Sequence, residues 1–351
     1  QDSIYAAAYG AIGISIGILI SSVVGFLHIL FVFLIYRKSS GRKEQLKNQD
    51  RGQHIFRMLM GTALPFMIYA LLGRGILLLD GILFIRQKEG TADTVLLWGN
   101  YYGKCLPVLG IMILFCILFH EGYIRRIIYF MDREEFRMAR ERMAEFMQHI
   151  ILISFPVAVF TAVFSENLLN LFFKGNNASL AQAVATGSIL IPLFAISYAC
   201  AELLVRMRKM RYVLSLEGIA AITHGILMIV LLQSMGDSLF GILIAQIVPL
   251  AVFTVLSFIL VLRGIQYRID YMRRLAFPAA TAAAAGLVCL AFNKLLSSFA
   301  GSTVSMIICI PVGIVIYIIL LLILKAISED EIQKLPLAGM ILFIGKLTRL
   351  L

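Results

Sequence analysis

The chain consists of long, continuous apolar runs that alternate with short polar loops. Each run has about 20 residues or more, the length that an α-helix needs to cross the hydrocarbon of a bilayer. The runs lack the strict apolar–polar alternation of a membrane β-strand, so we predict that they are helices. The pattern predicts an all-α membrane protein with about nine transmembrane helices, at roughly 6–36, 56–84, 96–119, 147–173, 181–205, 213–232, 239–262, 275–296 and 303–327.

Basic residues are concentrated in every second loop of this pattern. Most of the 31 lysines and arginines follow the first, third, fifth, seventh and ninth runs, whereas the other loops hold few. By the positive-inside rule we expect the N-terminus outside and the C-terminus in the cytoplasm of an inner (plasma) membrane. These loops account for the formal net charge of +11, which therefore does not indicate a nucleic-acid partner.

The composition supports the membrane assignment and argues against catalysis. Hydrophobic residues make up 60% of the chain and charged residues 15%, against about 25% in soluble domains. All five cysteines lie within apolar runs and show no metal-ligand spacing, so we expect them to be buried small hydrophobes. The sequence has no serine or cysteine beside a base and no glycine-rich phosphate loop. We expect no enzyme activity, metal or cofactor.

Two neighbouring runs each contain one cation. Arg74 lies ten residues before the end of the second run, and Lys104 lies eight residues after the start of the third. At about 1.5 Å per residue both are about 12–15 Å deep on the same side. A charge at such a depth costs about 2.5–3.5 kcal/mol on insertion scales, so it needs water, a carboxylate or a bound anion nearby. We expect Arg74 and Lys104 to face a cavity that takes an anionic, lipid-linked substrate, and the guanidinium of Arg74 suits a phosphate.

A carboxylate near these cations offers another explanation for one of them. Asp80 follows Arg74 by six residues, which places it about 240° around the helix on a different face. Asp80 either pairs with Lys104 or meets water. Nearby, Trp98 and Tyr101 are typical of an aromatic belt at the membrane–water boundary, as is Tyr102, which follows them.

The sixth run contains two further ionisable residues. Glu217 and His224 are seven residues apart, so they lie on one face of a helix. Together with Asp80 they are possible ion-coupling residues. In the alternative, Glu217 pairs with the basic cluster 206–211 and His224 is a hydrogen-bonded core residue. Gln246, a single polar residue in the seventh run, is predicted to make an interhelical hydrogen bond.

Four stretches together carry a resemblance to a known superfamily. They are AAAYGAIGISIGILISSVVG in the first run, MGTALPFMIYALLGRGILLLD in the second, WGNYYGKCLPVLGIMIL in the third and ISFPVAVFTAVFSENLLNLFF in the fourth. With the basic linker and the last two runs, they resemble the C-terminal two-thirds of the multidrug/oligosaccharidyl-lipid/polysaccharide flippase superfamily. Within it, the chain looks like the polysaccharide-biosynthesis and stage V sporulation protein B-like branch, which is related to the lipid II flippases. The segment LFHEGYIRRIIYF after the third run departs from that pattern.

The resemblance implies a two-lobed architecture and a role for the buried cations. Cations in a central cavity of such proteins bind the substrate diphosphate, and this role is implied here for Arg74 and Lys104. The implied domains are the last helix of an otherwise absent first lobe (1–36), a basic cytoplasmic linker (37–55), a six-helix, MATE-like second lobe (56–262), and two accessory transmembrane helices with an amphipathic cytoplasmic tail (263–351).

The expected function is therefore that of a multi-pass flippase. It would move a polyprenyl-diphosphate-linked oligosaccharide, a precursor of a cell-envelope polysaccharide or of peptidoglycan, by alternating access. Seven of the eight prolines lie within runs, where they favour bent helices. The expected partners are the lipid-linked sugar, membrane lipids and a glycosyltransferase or polymerase. Two alternatives stay open: a cation-coupled multidrug exporter of the same superfamily, and a non-transporting scaffold for glycosyltransferases.

Overall fold

Helices account for almost all of the described structure. A computed structural model describes residues 2–39, 50–87, 91–118, 120–173, 178–235, 239–268, 270–327, 332–333 and 338–348, and no strand occurs among them. The helices are α1 (Asp2–Ser39), α2 (Asp50–Gln87), α3 (Ala92–Asn100), α4 (Leu106–Ile117), α5 (His120–Asp132), α6 (Phe136–Val163), α7 (Ser165–Phe172), α8 (Ala178–Gly187), α9 (Leu190–Arg206), α10 (Met210–Ser234), α11 (Leu239–Ile265), α12 (Phe277–Ala300), α13 (Ser302–Ile323) and α14 (Ala338–Leu347). A π-helical segment, Tyr101–Cys105, joins α3 to α4, and a second one, Met272–Ala276, leads into α12.

Eight stretches of the described chain are long and apolar enough to cross a membrane. Each overlaps one of the runs predicted from residue 56 onwards, which confirms an all-α, multi-pass membrane protein. The first predicted run, 6–36, falls on α1, whose apolar part Leu19–Ile35 is shorter. The crossing stretches are Phe56–Arg86, Asp93–Ile117, Phe136–Val163, Leu180–Arg206, Met210–Ser234, Leu239–Ile265, Met272–Phe299 and Thr303–Ile323.

The fourth predicted run, 147–173, has different bounds in the structure. Helix α6 begins at Phe136, so the charged segment before the run continues into it as one helix of 28 residues. The helix ends at Val163, and the N–H of the next residue, Phe164, bonds to the carbonyl of Phe160. Helix α7 then begins at Ser165 with an acidic residue in its first turn, a favourable position because of the positive helix N-terminus.

The chain forms two compact units, Gln1–Gly61 and Thr62–Leu351. The described part of the first consists of α1 and the beginning of α2. Its large apolar side chains in the range 19–35 are exposed, as lipid-facing side chains are. In the second unit, a continuous apolar core runs through α4, α6, α9, α10 and α11, with Phe146 and Ile242 among its fully buried members. All five cysteines are buried and unbridged, as predicted.

Ion pairs tie α5 to α9 at one end of the second unit. Arg206 Nη2 donates to both carboxylate oxygens of Glu121, at 2.8 and 2.9 Å, and its Nε donates to Glu202 at 2.7 Å. Bonds from Arg125 and Arg206 lower the pKa of the Glu121 carboxyl. The alternative pairing of Glu217 with the 206–211 cluster is therefore wrong for Arg206, because closer carboxylates on α5 and α9 occupy it.

The two helices α12 and α13 pack against α6 through a second apolar cluster. It includes Leu152 of α6, Ala282 of α12 and Ile318 of α13. The hydroxyl of Tyr317 donates to the backbone carbonyl of Leu152 at 3.2 Å. These contacts attach the predicted accessory pair to the core of the second unit.

Gly313 marks a close approach of α13 to its neighbours. A methyl group there would overlap the Cys289 sulfur and lie 2.9–3.0 Å from the Phe160 ring. We predict that Gly313→Ala lowers the free energy of unfolding by about 1–3 kcal/mol, because both neighbours must move. Gly225→Ala, whose added methyl meets nothing within 4 Å in α10, is the control and should leave stability equal or higher. Thermal unfolding in detergent compares the two, and equal midpoints would contradict the crowding at Gly313.

Candidate functional site

Four polar side chains meet inside the membrane-crossing part of the second unit. Asp80 comes from α2, Tyr101 from the π-helical segment after α3, His224 from α10 and Gln246 from α11. Asp80 and Tyr101 are fully buried, and His224 is 5% exposed. They lie about 9–15 Å along their helices from the ends at the α2–α3 and α10–α11 connections. At that depth bulk water does not satisfy polar groups, so the side chains must bond to one another.

The four side chains form one hydrogen-bonded chain. His224 Nε2 lies 2.6 Å from Asp80 Oδ1, and His224 Nδ1 lies 2.7 Å from the backbone oxygen of Ala245. The Gln246 amide nitrogen donates to the other Asp80 oxygen at 3.4 Å. The Gln246 side-chain oxygen accepts from the Tyr101 hydroxyl at 2.9 Å. The network therefore joins α2, α10, α11 and the π-helical segment.

The two contacts of His224 determine how many protons the pair holds. A backbone carbonyl can only accept, so Nδ1 carries a hydrogen. Another proton must then lie between Nε2 and Asp80, because two acceptors cannot bond to each other at 2.6 Å. The proton sits either on the imidazole, as an ion pair, or on the carboxyl, as a neutral pair, and both states have zero net charge. Its loss leaves a net negative charge in the membrane, which is costly.

A π-helical turn gives Tyr101 its position. The N–H of Leu106 bonds to the carbonyl of Tyr101, five residues earlier, where an α-helix would use the fourth. Pro107 follows and lacks the N–H that would bond to Gly103 in an α-helix. Within this turn Tyr101 is fully buried, whereas Tyr102 is 53% exposed.

Trp98 packs against α2 beside Asp80. Its indole contacts the Phe84 ring, with 5.7 Å between the centroids. It also covers Gly81 so closely that a methyl group there would lie 3.1–3.2 Å from three indole atoms. Since Asp80 directly precedes Gly81, this packing fixes the position of the carboxylate. A methyl group at position 81 would require the indole to shift by a few tenths of an ångström.

A second acidic residue, Glu217, lies on the same face of α10 as His224, two helical turns nearer the start of the helix. Glu217 is half-buried, and its Oε1 would lie 3.8 Å from a methyl group on Gly73 of α2. Glu217 and Gly73 precede His224 and Asp80, respectively, by seven residues, so α10 faces α2 at two levels. Glu217 and His224 therefore share a face of α10, as their spacing predicts.

The structure describes the side chain of only one of the two predicted anion-binding cations. Lys104 is half-buried in the π-helical turn. Arg74 belongs to α2, and its side chain lies outside the described residues. Asp80 directs its two oxygens to His224 and Gln246, two partners that the sequence does not assign to it.

Two members of the network are not identified as site residues by the sequence. The interhelical hydrogen bond predicted for Gln246 is confirmed, and it reaches both Asp80 and Tyr101. Tyr101 departs from the prediction of an interfacial aromatic, since it is fully buried and donates to Gln246. The proline two residues after the π-helical turn is the available sequence signal of that change.

Fold and site together define a class: an all-α, multi-pass membrane protein with a hydrogen-bonded acid–imidazole pair inside its crossing helices. In the described part of the chain, no cluster of three or more His, Cys, Asp or Glu side chains could hold a metal ion. No protein-family model matches the chain, and neither the curated proteins nor the solved structures give a match. The resemblance of the four sequence stretches to the flippase superfamily stays a prediction.

We predict that Asp80→Leu and His224→Phe each lower the free energy of unfolding by about 3–5 kcal/mol. Each variant leaves the remaining member of the pair buried without its partner. The double variant replaces both by apolar groups and should recover a large part of that loss. Thermal unfolding of the four proteins in detergent measures the coupling between the two sites. Purely additive losses would contradict direct pairing.

Proposed function

We propose that this protein is a flippase of the cell membrane that moves a polyprenyl-diphosphate-linked sugar by alternating access, coupled to a proton. The observation that carries the proposal is the buried Asp80–His224 pair, which holds one titratable proton among membrane-crossing helices. Ionisable residues inside a membrane are costly, and in transporters they form proton relays and substrate pathways. A hydrogen bond that only joined helices would need no more than serine, threonine, asparagine or glutamine.

The proton offers a way to control the packing of α2. With the proton present, Asp80 and His224 attract each other and hold α2 against α10. Without it, a carboxylate faces an imidazole lone pair, and water is needed to satisfy both. Elsewhere α2 is largely exposed, with Met67 at 60%, Leu71 at 71% and Leu78 at 70%. The contact at Asp80 therefore supplies much of the attachment of α2 within the second unit, and opening it would free the helix to move.

The charge of the proposed substrate follows from the two cations. Arg74 precedes Asp80 by six residues on α2, and Lys104 follows Tyr101 by three in the π-helical turn. Two of the four elements that meet in the network, α2 and the π-helical segment, therefore also carry a cation. A diphosphate has enough charge and acceptor oxygens to engage both an arginine and a lysine. Movement of α2 would change the spacing of the cations and so the affinity for the diphosphate.

Glu217 favours a second candidate, a cation-coupled multidrug exporter. It lies on the face of α10 that is directed to α2, two helical turns from His224. With Asp80, this arrangement provides two acidic positions along one pair of helices. Such a path suits a coupling cation or a cationic drug. The substrate charge is then opposite to that of a lipid diphosphate.

We predict that Lys104→Gln, alone or with Arg74→Gln, slows flipping of a fluorescent polyprenyl-diphosphate sugar in vesicles at least about tenfold. The loss corresponds to one charge-assisted hydrogen bond to the phosphate. Lys294→Gln, which removes an exposed lysine of α12, is the matched control and should flip at the wild-type rate. An unchanged rate in the Arg74→Gln/Lys104→Gln protein would reject the diphosphate site.

Glu217→Gln separates the two candidate functions in the same vesicles. A flippase should retain lipid flipping in this variant, whereas an exporter should lose uptake of a cationic dye. A scaffold would show neither activity in the wild type or in the Lys294→Gln control, and that outcome would contradict both transport proposals.

We predict that the fluorescence of Trp98, the sole tryptophan, reports the proton of the pair. As the pH rises, loss of the proton should open the contact beside Gly81 and shift the emission to longer wavelength as water enters. The double variant Asp80→Leu/His224→Phe, which removes both groups of the pair, should abolish the transition. Asp93→Asn, which alters an exposed acid of α3, should preserve it. A transition that persists in the double variant would assign the pH response to another group.

A further inference from the structure

A groove of about 770 Å³ opens beside the polar network, on the outer surface of α2. One wall is a stripe of α2 that includes Leu78, Ile82 and Arg86, and the other is formed by Trp98 and Tyr102. The two aromatic rings are stacked, with 6.3 Å between their centroids. The groove therefore has an apolar helix surface on one side and a flat aromatic surface on the other.

The groove runs from the membrane–water boundary into the hydrocarbon. Arg86 is the last residue of its crossing stretch, and Leu78 lies eight residues deeper, about 12 Å along the helix. Leu78 is 70% exposed and Ile82 60%, so their apolar surface is open to a ligand. Trp98 and Tyr102 are of the residue types that favour the headgroup level of a bilayer.

Arg86 supplies the only fixed charge among the residues that line the described groove. Its side chain is exposed at the mouth. The ion pairs on α5, α6 and α9 and the Asp80–His224 pair do not involve Arg86. An arginine at this level keeps its charged end at the headgroups while its stem packs on apolar surface. Its planar guanidinium suits the bidentate recognition of phosphate.

We infer that the groove binds an anionic phospholipid, with the phosphate on Arg86 and an acyl chain along Leu78 and Ile82. The charge and the apolar length of the groove match the two parts of such a molecule. A free phosphate would leave the apolar stripe unused, and a zwitterionic lipid brings its own cation to the guanidinium. The site is separate from Arg74 and Lys104, so the inference does not depend on the proposed transport.

The sole tryptophan makes this site directly measurable. Trp98 lines the groove, so brominated acyl chains that enter it quench the fluorescence of the whole chain. The full chain is reconstituted in phosphatidylcholine vesicles that contain increasing fractions of brominated phosphatidylglycerol or of brominated phosphatidylcholine. We expect the anionic lipid to reach half-maximal quenching at an about fivefold lower fraction, the effect of one basic residue at the surface.

Matched variants separate charge from shape. Arg86→Gln should abolish the preference, whereas Arg263→Gln, at the corresponding last turn of α11, should preserve it. Ile82→Phe fills the groove and should reduce quenching by both lipids. Leu79→Phe, a substitution on the same helix outside the groove lining, should leave quenching unchanged. Ile82→Phe also keeps the test valid if Arg86→Gln fails to fold.

Three outcomes would overturn the inference. Equal quenching of the wild type by both lipids would exclude a preference for the anionic headgroup. A preference that survives in Arg86→Gln would place the charge recognition elsewhere. Loss of the preference on addition of millimolar inorganic phosphate would assign the site to the free anion rather than to a lipid.

Discussion

A carboxyl group and an imidazole held 2.6 Å apart inside a membrane impose the strictest condition on this structure. Asp80 is completely buried, so its charge must be removed by a proton or balanced by His224. That condition requires α2 and α10 to meet at one level. It also requires Gln246 to satisfy the second carboxylate oxygen and Tyr101 to satisfy Gln246. Each side chain of the network therefore provides a hydrogen-bond partner for a buried polar atom of its neighbour.

Most of the helices can be predicted from the sequence, because in a bilayer the composition of a segment is enough to predict its secondary structure. A run of about 20 apolar residues must be a helix, whatever its neighbours are. The crossing helices from residue 56 onwards are predictable for that reason. The breaks between helices are harder to predict. The end of α6 at Val163 and the division of one crossing stretch into α8 and α9 depend on backbone hydrogen bonds within apolar sequence.

The candidate site is only half predictable, and the reason is geometric. Helical spacing correctly places Glu217 and His224 on one face of α10. Spacing within one helix cannot choose a partner on another, so for Asp80 it leaves Lys104 and water open. The bond to His224 forms because α10 packs at the level of Asp80, which spacing along α2 does not predict. Tyr101 is missed because its residue type and its place near the start of the third run predict an interfacial aromatic, whereas its bond to Gln246 depends on how α11 packs.

The same contact separates the network from the lipid-facing groove. In two places, one residue belongs to the network and the next lines the groove. Asp80 is followed by Gly81 in this way, and Tyr101 is followed by Tyr102. Trp98 stands between them, since its indole covers Gly81 and lies 5.8 Å from the Tyr101 ring and 6.3 Å from the Tyr102 ring, centroid to centroid. Any change in the proton at Asp80 that moves α2 must move this indole, and with it one wall of the groove. A lipid in the groove and the proton in the network would therefore act on one side chain, and the two binding events would be linked if the lipid binds one position of the indole more tightly than the other.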